Sequence, residues 1–177
     1  MSNQKEFRLS GAGGQGLILA GIILAEAGIV DDMHAVQTQS YGPEARGGAS
    51  KSEVILSDQK IDYPKVRKPD VVLALTQAAA DKYLTEDSNV DIIIVDEKVD
   101  INPKVTYNKL YKEPILKTAN VDIGKSIVAN IVALGMVVES SKIVTKNAIE
   151  TAVLNRVPKG TEKLNKMALQ KGYELIN

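Results

Sequence analysis

The sequence predicts an α/β fold, Rossmann-like and three-layered, with a mostly parallel sheet and a helical C-terminus. Three observations carry this expectation. Residues 8–30, "RLSGAGGQGLILAGIILAEAGIV", run from a strand through a glycine turn into an apolar helix. Two short apolar runs, "DVVLALT" at 70–76 and "VDIIIVD" at 90–96, are of the kind found in strands covered on both faces. "AAADKYL" between them reads as a compact helix, and strand, helix, strand alternation is how a parallel sheet is wound.

Taken in order, residues 5–10 alternate weakly and form the first strand, and the glycine turn leads into a helix from about Gln15 to Gly28, with Gly28 as its stop. "HAVQTQSY" at 34–41 is a second strand with Val36 and Thr38 on one side, and "SEVILS" at 52–57 is another. The intervening "YGPEARGGAS" is a loop by its glycine and proline content. After Asp96 the pattern loosens through "KVDINPKVTYNKLYKEP", and two or three helices fill the C-terminus. Ala148, Ile149, Ala152, Val153 and Val157 recur at helical spacing on one face, and Pro158 and Gly160 precede a last, more polar helix. With no internal repeat, low-complexity segment or linker, residues 1–177 read as a single domain.

Composition narrows the chemistry. The 22 basic and 22 acidic side chains cancel, so the positive field that draws proteins to nucleic acid or anionic membrane is missing, and neither is expected as a partner. Without cysteine the chain can hold no disulfide, thiolate zinc site or cysteine-ligated iron–sulfur cluster, and its sole histidine, His34, cannot build a multi-histidine metal centre or a serine triad. No catalytic acid and base pair stands out. The longest apolar stretch, Leu17 to Val30, carries Glu26 and is shorter than the ~20 residues that span a bilayer. No secretory signal pattern is visible, so the sequence reads as cytoplasmic. The same apolar helix must be buried within the fold or against another chain, which includes a homodimer of the isolated chain.

Gly11, Gly13 and Gly16 have the spacing of a dinucleotide fingerprint. Such glycines let backbone N–H groups approach a phosphate at a helix start, or simply make room for close packing of strand and helix. A dinucleotide site also needs an acid about 20 residues on, to hold the ribose. That place holds Thr38, Gln39, Ser40 and Tyr41; Asp31 and Asp32 come too early, and Glu44 lies beyond a Gly-Pro turn. A self-sufficient dinucleotide-binding protein is therefore the weaker alternative. "ANVDIGKS" at 119–126 ends like a P-loop but has Ala119 where that motif needs glycine, so Gly124 reads as a helix-start residue and Lys125 as solvated.

A second loop is more suggestive. Against 18 lysines the chain has only four arginines, and one, Arg46, stands in "SYGPEARGG" beside Gly47 and Gly48. A guanidinium forms a rigid fork suited to phosphate or carboxylate, Tyr41 offers a flat face with a hydroxyl, and Glu44 can hold Arg46 in place. The plainer account is an exposed turn with an incidental ion pair.

"GAGGQG", "SYGPEARGG", "PDVVLALTQ" and "ANIVALG", in this order, resemble the gamma subunit of 2-oxoacid:ferredoxin oxidoreductases over at least residues 7–140. The 2-oxoglutarate type fits best, with the pyruvate and 2-oxoisovalerate types close. The resemblance implies a complex that oxidatively decarboxylates a 2-oxoacid with coenzyme A to an acyl-CoA, carbon dioxide and reduced ferredoxin. It implies alpha and beta partners, with a delta chain in some members, that carry thiamine diphosphate and iron–sulfur clusters, while this chain alone holds no cofactor and has no activity alone. Coenzyme A enters as co-substrate. It implies that this chain contributes subunit interface and coenzyme A-channel surface, and the residues expected to meet a phosphate or a partner carboxylate are Gly11, Gly13, Gly14, Gln15 and Gly16 on the first loop, and Tyr41, Glu44, Arg46, Gly47 and Gly48 on the second.

Overall fold

β1 (Gln4–Ala12) sends Phe7 and Leu9 into a fully buried core, while Arg8 between them faces the other side of the sheet. The computed structural model describes residues 3–40 and 48–177. After β1 come α1 (Leu17–Val30), β2 (His34–Gln39), β3 (Ala49–Ser57), β4 (Val71–Ala74), α2 (Gln77–Tyr83), β5 (Asn89–Asp96) and β6 (Thr106–Glu113). The remainder is helical: a short α3 (Ile115–Lys117) continued by a wider turn, then α4 (Ala129–Ser141), α5 (Lys146–Arg156) and α6 (Glu162–Ile176).

The six strands form one sheet in the order β2-β3-β1-β4-β5-β6. β1, β4, β5 and β6 are parallel. β3 is antiparallel to both β1 and β2, so β2 runs with β1 one strand position away and β3 fills the gap between them. The α/β class and mostly parallel sheet are as expected, with β3 alone reversed. α1, α4, α5 and α6 cover one face around Leu9, Ile23, Leu56, Leu73 and Ile94. α2 and the connection after β5 cover part of the other, around Val72, Ile93, Val95, Val99 and Val105. These are the three layers.

Several boundaries differ from the sequence reading, each for a physical reason. α1 begins at Leu17 because Gly16 is left-handed, at φ 74°, and it runs past Gly28 to Val30. Gly28 is no stop: a Cβ there would come 2.5 Å from Leu56 Cδ2, so its small size lets α1 lie close on the sheet. α1 ends instead at Asp31, whose carboxylate accepts hydrogen bonds from the Thr145 backbone N–H (2.6 Å) and hydroxyl (2.9 Å). The supposedly unpatterned stretch after Asp96 contains β6, an edge strand whose mostly polar, exposed side chains give little apolar alternation. Gly124, at φ 79°, shapes a turn before a single 3-10 turn at 126–128 and does not open a helix; Lys125 is exposed, as expected. The apolar helix is only partly covered: Leu17, Ala20, Ile23, Leu24 and Ala27 are buried, whereas Ile29 and Val30 face outward.

The C-terminal helices are held by packing and one charged cluster. Ala148, Ile149, Ala152 and Val153 are buried as the helical spacing predicts, and Thr145 caps α5 by accepting from the Ala148 N–H. α6 lies against α4 with Gly135 and Gly172 at the crossing, where an added Cβ on either would collide with the backbone of the facing helix. Beside that crossing Glu139, 6% exposed, accepts from Lys142 (2.5 Å), Lys146 (2.9 Å) and the Asn177 amide (3.2 Å). The hydrogen bonds from Lys142 and Lys146 pull its carboxyl down from an ordinary 4.5 to about 2. Glu139 shares its cavity, about 610 Å³, with Asn3, so both described chain ends lie at the end of the sheet where β1 begins.

Candidate functional site

In a sheet wound this way, ligands gather at the carboxyl ends of the parallel strands, where connections diverge to opposite faces. Here that point lies between β1, followed by α1 on one face, and β4, followed by α2 on the other. The glycine loop 13–16 stands at this end. So do Gln39 and Ala49, the ends of β2 and β3 that flank the second loop, because Ala12 pairs with Ala49 and Gln39 with Ser52. The structure therefore brings the flanks of the two sequence-predicted loops together, with Gly48 half-buried beside Ala49. Tyr41, Glu44, Arg46 and Gly47 lie outside the described residues.

The loop itself is shaped by two left-handed glycines, Gly14 (φ 85°) and Gly16 (φ 74°), a conformation that costs a side-chain-bearing residue roughly 1–2 kcal/mol. Gly13 and Gly14 are exposed, and a Cβ on Gly14 would meet nothing within 4 Å. Gly11 is buried, and there a Cβ would reach Leu17 Cδ1 at 2.7 Å, so its role is close packing. Gln15 turns back on the loop, its Oε1 accepting from the Ala12 N–H at 2.7 Å. That oxygen closes the turn, which leaves the Gln15 amide nitrogen as the group free to meet a ligand. No side chain caps α1, so its first N–H groups and partial positive charge face the loop.

A residue the sequence reading did not single out holds the loop from outside. Asn130, 4% exposed near the start of α4, donates from Nδ2 to the Gly16 carbonyl at 3.1 Å. Its Oδ1 accepts from the Ile131 N–H at 2.9 Å. In the sequence Asn130 shows only as the polar residue in the apolar run "ANIVALG", which does not point to Gly16. Next to this contact opens a groove of about 380 Å³, lined mainly by apolar atoms of residues such as Leu19, Ile127, Ile131, Val157 and Leu164.

Among the described residues, the acid on the neighbouring strand does not take the place of the missing ribose acid. Glu53, which the sheet places opposite Thr38, is 6% exposed and engaged by Arg8 Nε (2.8 Å) and Lys51 Nζ (2.9 Å). Among the described residues no group of three or more His, Asp or Glu side chains is disposed to hold a metal, and no helix is long and apolar enough to cross a membrane.

Comparison with known proteins agrees with this architecture. Residues 6–175 match the family model described as pyruvate ferredoxin/flavodoxin oxidoreductase. The 2-oxoglutarate synthase subunit KorC of Methanocaldococcus jannaschii is 52% identical over 176 residues, covering 97% of this chain and 94% of that one. The crystal structure of a keto/oxoacid ferredoxin oxidoreductase gamma subunit from Geobacter sulfurreducens superposes with a TM-score of 0.88 at 48% identity, over 98% of this chain and 97% of that one. The same fold, at 21% identity and a TM-score of 0.85, makes up 31% of a chain of the 2-oxoglutarate:ferredoxin oxidoreductase from Magnetococcus marinus, whose structure contains 2-oxoglutarate, coenzyme A and succinyl-CoA. A family match across nearly the whole length, joined to relatives that share about half its residues, settles the assignment: this chain belongs to the pyruvate ferredoxin/flavodoxin oxidoreductase family, as a gamma-type subunit of a 2-oxoacid:ferredoxin oxidoreductase.

Proposed function

We propose that the complex containing this chain oxidises 2-oxoglutarate with coenzyme A to succinyl-CoA, carbon dioxide and reduced ferredoxin, and that the glycine-loop end forms one wall of the coenzyme A entrance. The choice of 2-oxoglutarate follows the relative that shares 52% of its residues. The observation that carries the coenzyme A reading is the convergence of the glycine loop and the described flanks of the second loop at one end of the sheet, where exposed Gly13 and Gly14 and an uncapped helix start suit a phosphate. On this reading the amides of Gly13, Gly14 and Gly16, with the Gln15 nitrogen, meet the phosphates, Arg46 supplies the charged clamp, Tyr41 and Gly47–Gly48 line the approach, and Glu44 orients Arg46.

Thiamine diphosphate, which stabilises the carbanion left when a 2-oxoacid loses carbon dioxide, belongs to the alpha and beta partners. On the same reading the iron–sulfur clusters that pass electrons to ferredoxin belong to the beta partner or to a delta chain, since this polypeptide has no cysteine. The gamma chain contributes binding surface: it orients the co-substrate and excludes water around it.

Coexpression with its alpha and beta partners, followed by 2-oxoacid-dependent ferredoxin reduction, tests the proposal. The assembly is expected to prefer 2-oxoglutarate over pyruvate and 2-oxoisovalerate, and Arg46→Ala is expected to raise the KM for coenzyme A about tenfold, with the KM for 2-oxoglutarate unchanged. An unchanged coenzyme A KM would remove the clamp. Micromolar binding of NADH or FAD to the isolated chain would favour the dinucleotide alternative.

A further inference from the structure

Gln15 closes the turn of the glycine loop, but no side chain of the loop reaches its last residue, Gly16. Gly16 is left-handed, its carbonyl already accepts the first α1 hydrogen bond from Ala20 N–H (3.0 Å), and no side chain of the loop caps the helix. The restraint comes from 114 residues away, where Asn130 brings a buried amide to the same carbonyl. Burying an amide is unfavourable unless both ends are satisfied, and here both are. Nδ2 bonds Gly16 of α1 while Oδ1 takes one of the otherwise unpaired N–H groups at the start of α4. One side chain thus ties together the first turns of two helices. The approach gives position 16 a second reason to be glycine beside its left-handed backbone, since a Cβ there would sit 2.6 Å from Asn130 Nδ2.

We propose that Asn130 is a positioning residue for coenzyme A: it fixes the Gly16 end of the loop so that the amides of residues 13–16 converge on the phosphate without reorganising on binding. The inference rests on the coenzyme A reading of the loop given above. It makes the chemistry of an asparagine, as opposed to any polar residue, the requirement. Aspartate at 130 keeps an acceptor for the Ile131 N–H but turns a carboxylate toward the Gly16 carbonyl, so it separates the local cap from the cross-link.

The test uses the assembled complex with Asn130→Asp and Asn130→Ala, read by amide hydrogen exchange over residues 12–20 and by steady-state kinetics. Exchange in that segment is expected to rise about fivefold to tenfold while buried strand β5 stays protected. The KM for coenzyme A should rise about tenfold, with the KM for the 2-oxoacid and kcat at saturating coenzyme A within about twofold of the parent. Unchanged exchange over 12–20 overturns the restraint whatever the kinetics show. Raised exchange with an unmoved coenzyme A KM keeps the restraint but overturns the loop's part in coenzyme A binding, and with it the role of Asn130 in the reaction. If Asn130→Ala fails to fold, Asn130→Asp, which retains the α4 cap, decides the matter alone.

Discussion

Gly172→Ala sets two opposed effects against each other, and the structure says which wins. Gly172 lies inside α6, where alanine favours the helix by about 0.8–1.0 kcal/mol over glycine. Taken alone, propensity makes the substitution stabilising. A Cβ at 172, however, would overlap the Val132 carbonyl oxygen and come 2.8 Å from Gly135 Cα and 3.0 Å from Met136 N, all backbone atoms of α4 that cannot rotate aside. The helices must part by on the order of 0.5–1 Å, which forfeits about a quarter to a half of the contact energy across the gap. Leu169 and Tyr173, 2% and 7% exposed, lie on the affected face. Their burial is worth about 1.5–3 kcal/mol each, so roughly 1–3 kcal/mol is lost, and misfit of the crossing backbones adds about 1–3 kcal/mol more. Net destabilisation of about 1–5 kcal/mol follows after the propensity gain is subtracted. Urea unfolding followed by circular dichroism measures it as a lowered midpoint at constant slope. A midpoint unchanged or raised would refute the packing argument, because propensity would then have prevailed. Gly135→Ala, which would place its Cβ 3.0 Å from Gly172 Cα, should behave alike.

Two further outcomes are expected. Gly14→Ala and Gly16→Ala should differ although both positions are left-handed: the first meets open space and costs about 1–2 kcal/mol, while the second also displaces the Asn130 amide and costs about 1 kcal/mol more, as comparison of their thermal midpoints would show. Glu139 gives the fold an acid sensitivity. Its folded pKa of about 2 lies below the ordinary 4.5, so its contribution to stability is present above about pH 4.5 and is lost as pH falls toward 2. Urea midpoints at pH 5.5 and 3 should therefore fall more in the parent than in Glu139→Gln; equal losses would place the acid-labile interaction elsewhere.

Sequence patterning revealed what repeats and hid what depends on distant partners. The apolar runs at 70–76 and 90–96 became β4 and β5 because both of their faces are covered, which leaves no room for polar alternation. β6 escaped notice for the opposite reason: an edge strand needs little apolar surface, and "TYNKLYKE" pairs through its backbone. Gly28 looked like a stop because glycine often ends helices, but Leu56, 28 positions later, is what makes it necessary. In the candidate site, the glycine spacing and its missing acid were both readable, since each is a local property. Asn130 was not. Its importance lies in a carbonyl 114 residues earlier, and an asparagine at a helix start has local uses enough to look ordinary.

The placement of the chain ends bears on how the molecule can be attached to others. Asn3 and Asn177 gather around the Glu139 cavity at the end where β1 begins. The nine residues of β1 carry the backbone about 26 Å, at roughly 3.3 Å per step, before the glycine loop opens. A polypeptide joined at either terminus therefore leaves the loop end unobstructed. The Magnetococcus chain, in which this fold occupies under a third of the length, shows that the architecture accommodates such continuation. The same geometry marks Asn3 and Asn177 as anchoring points for dyes, tethers or fusions in assembly experiments, with the glycine-loop rim left bare.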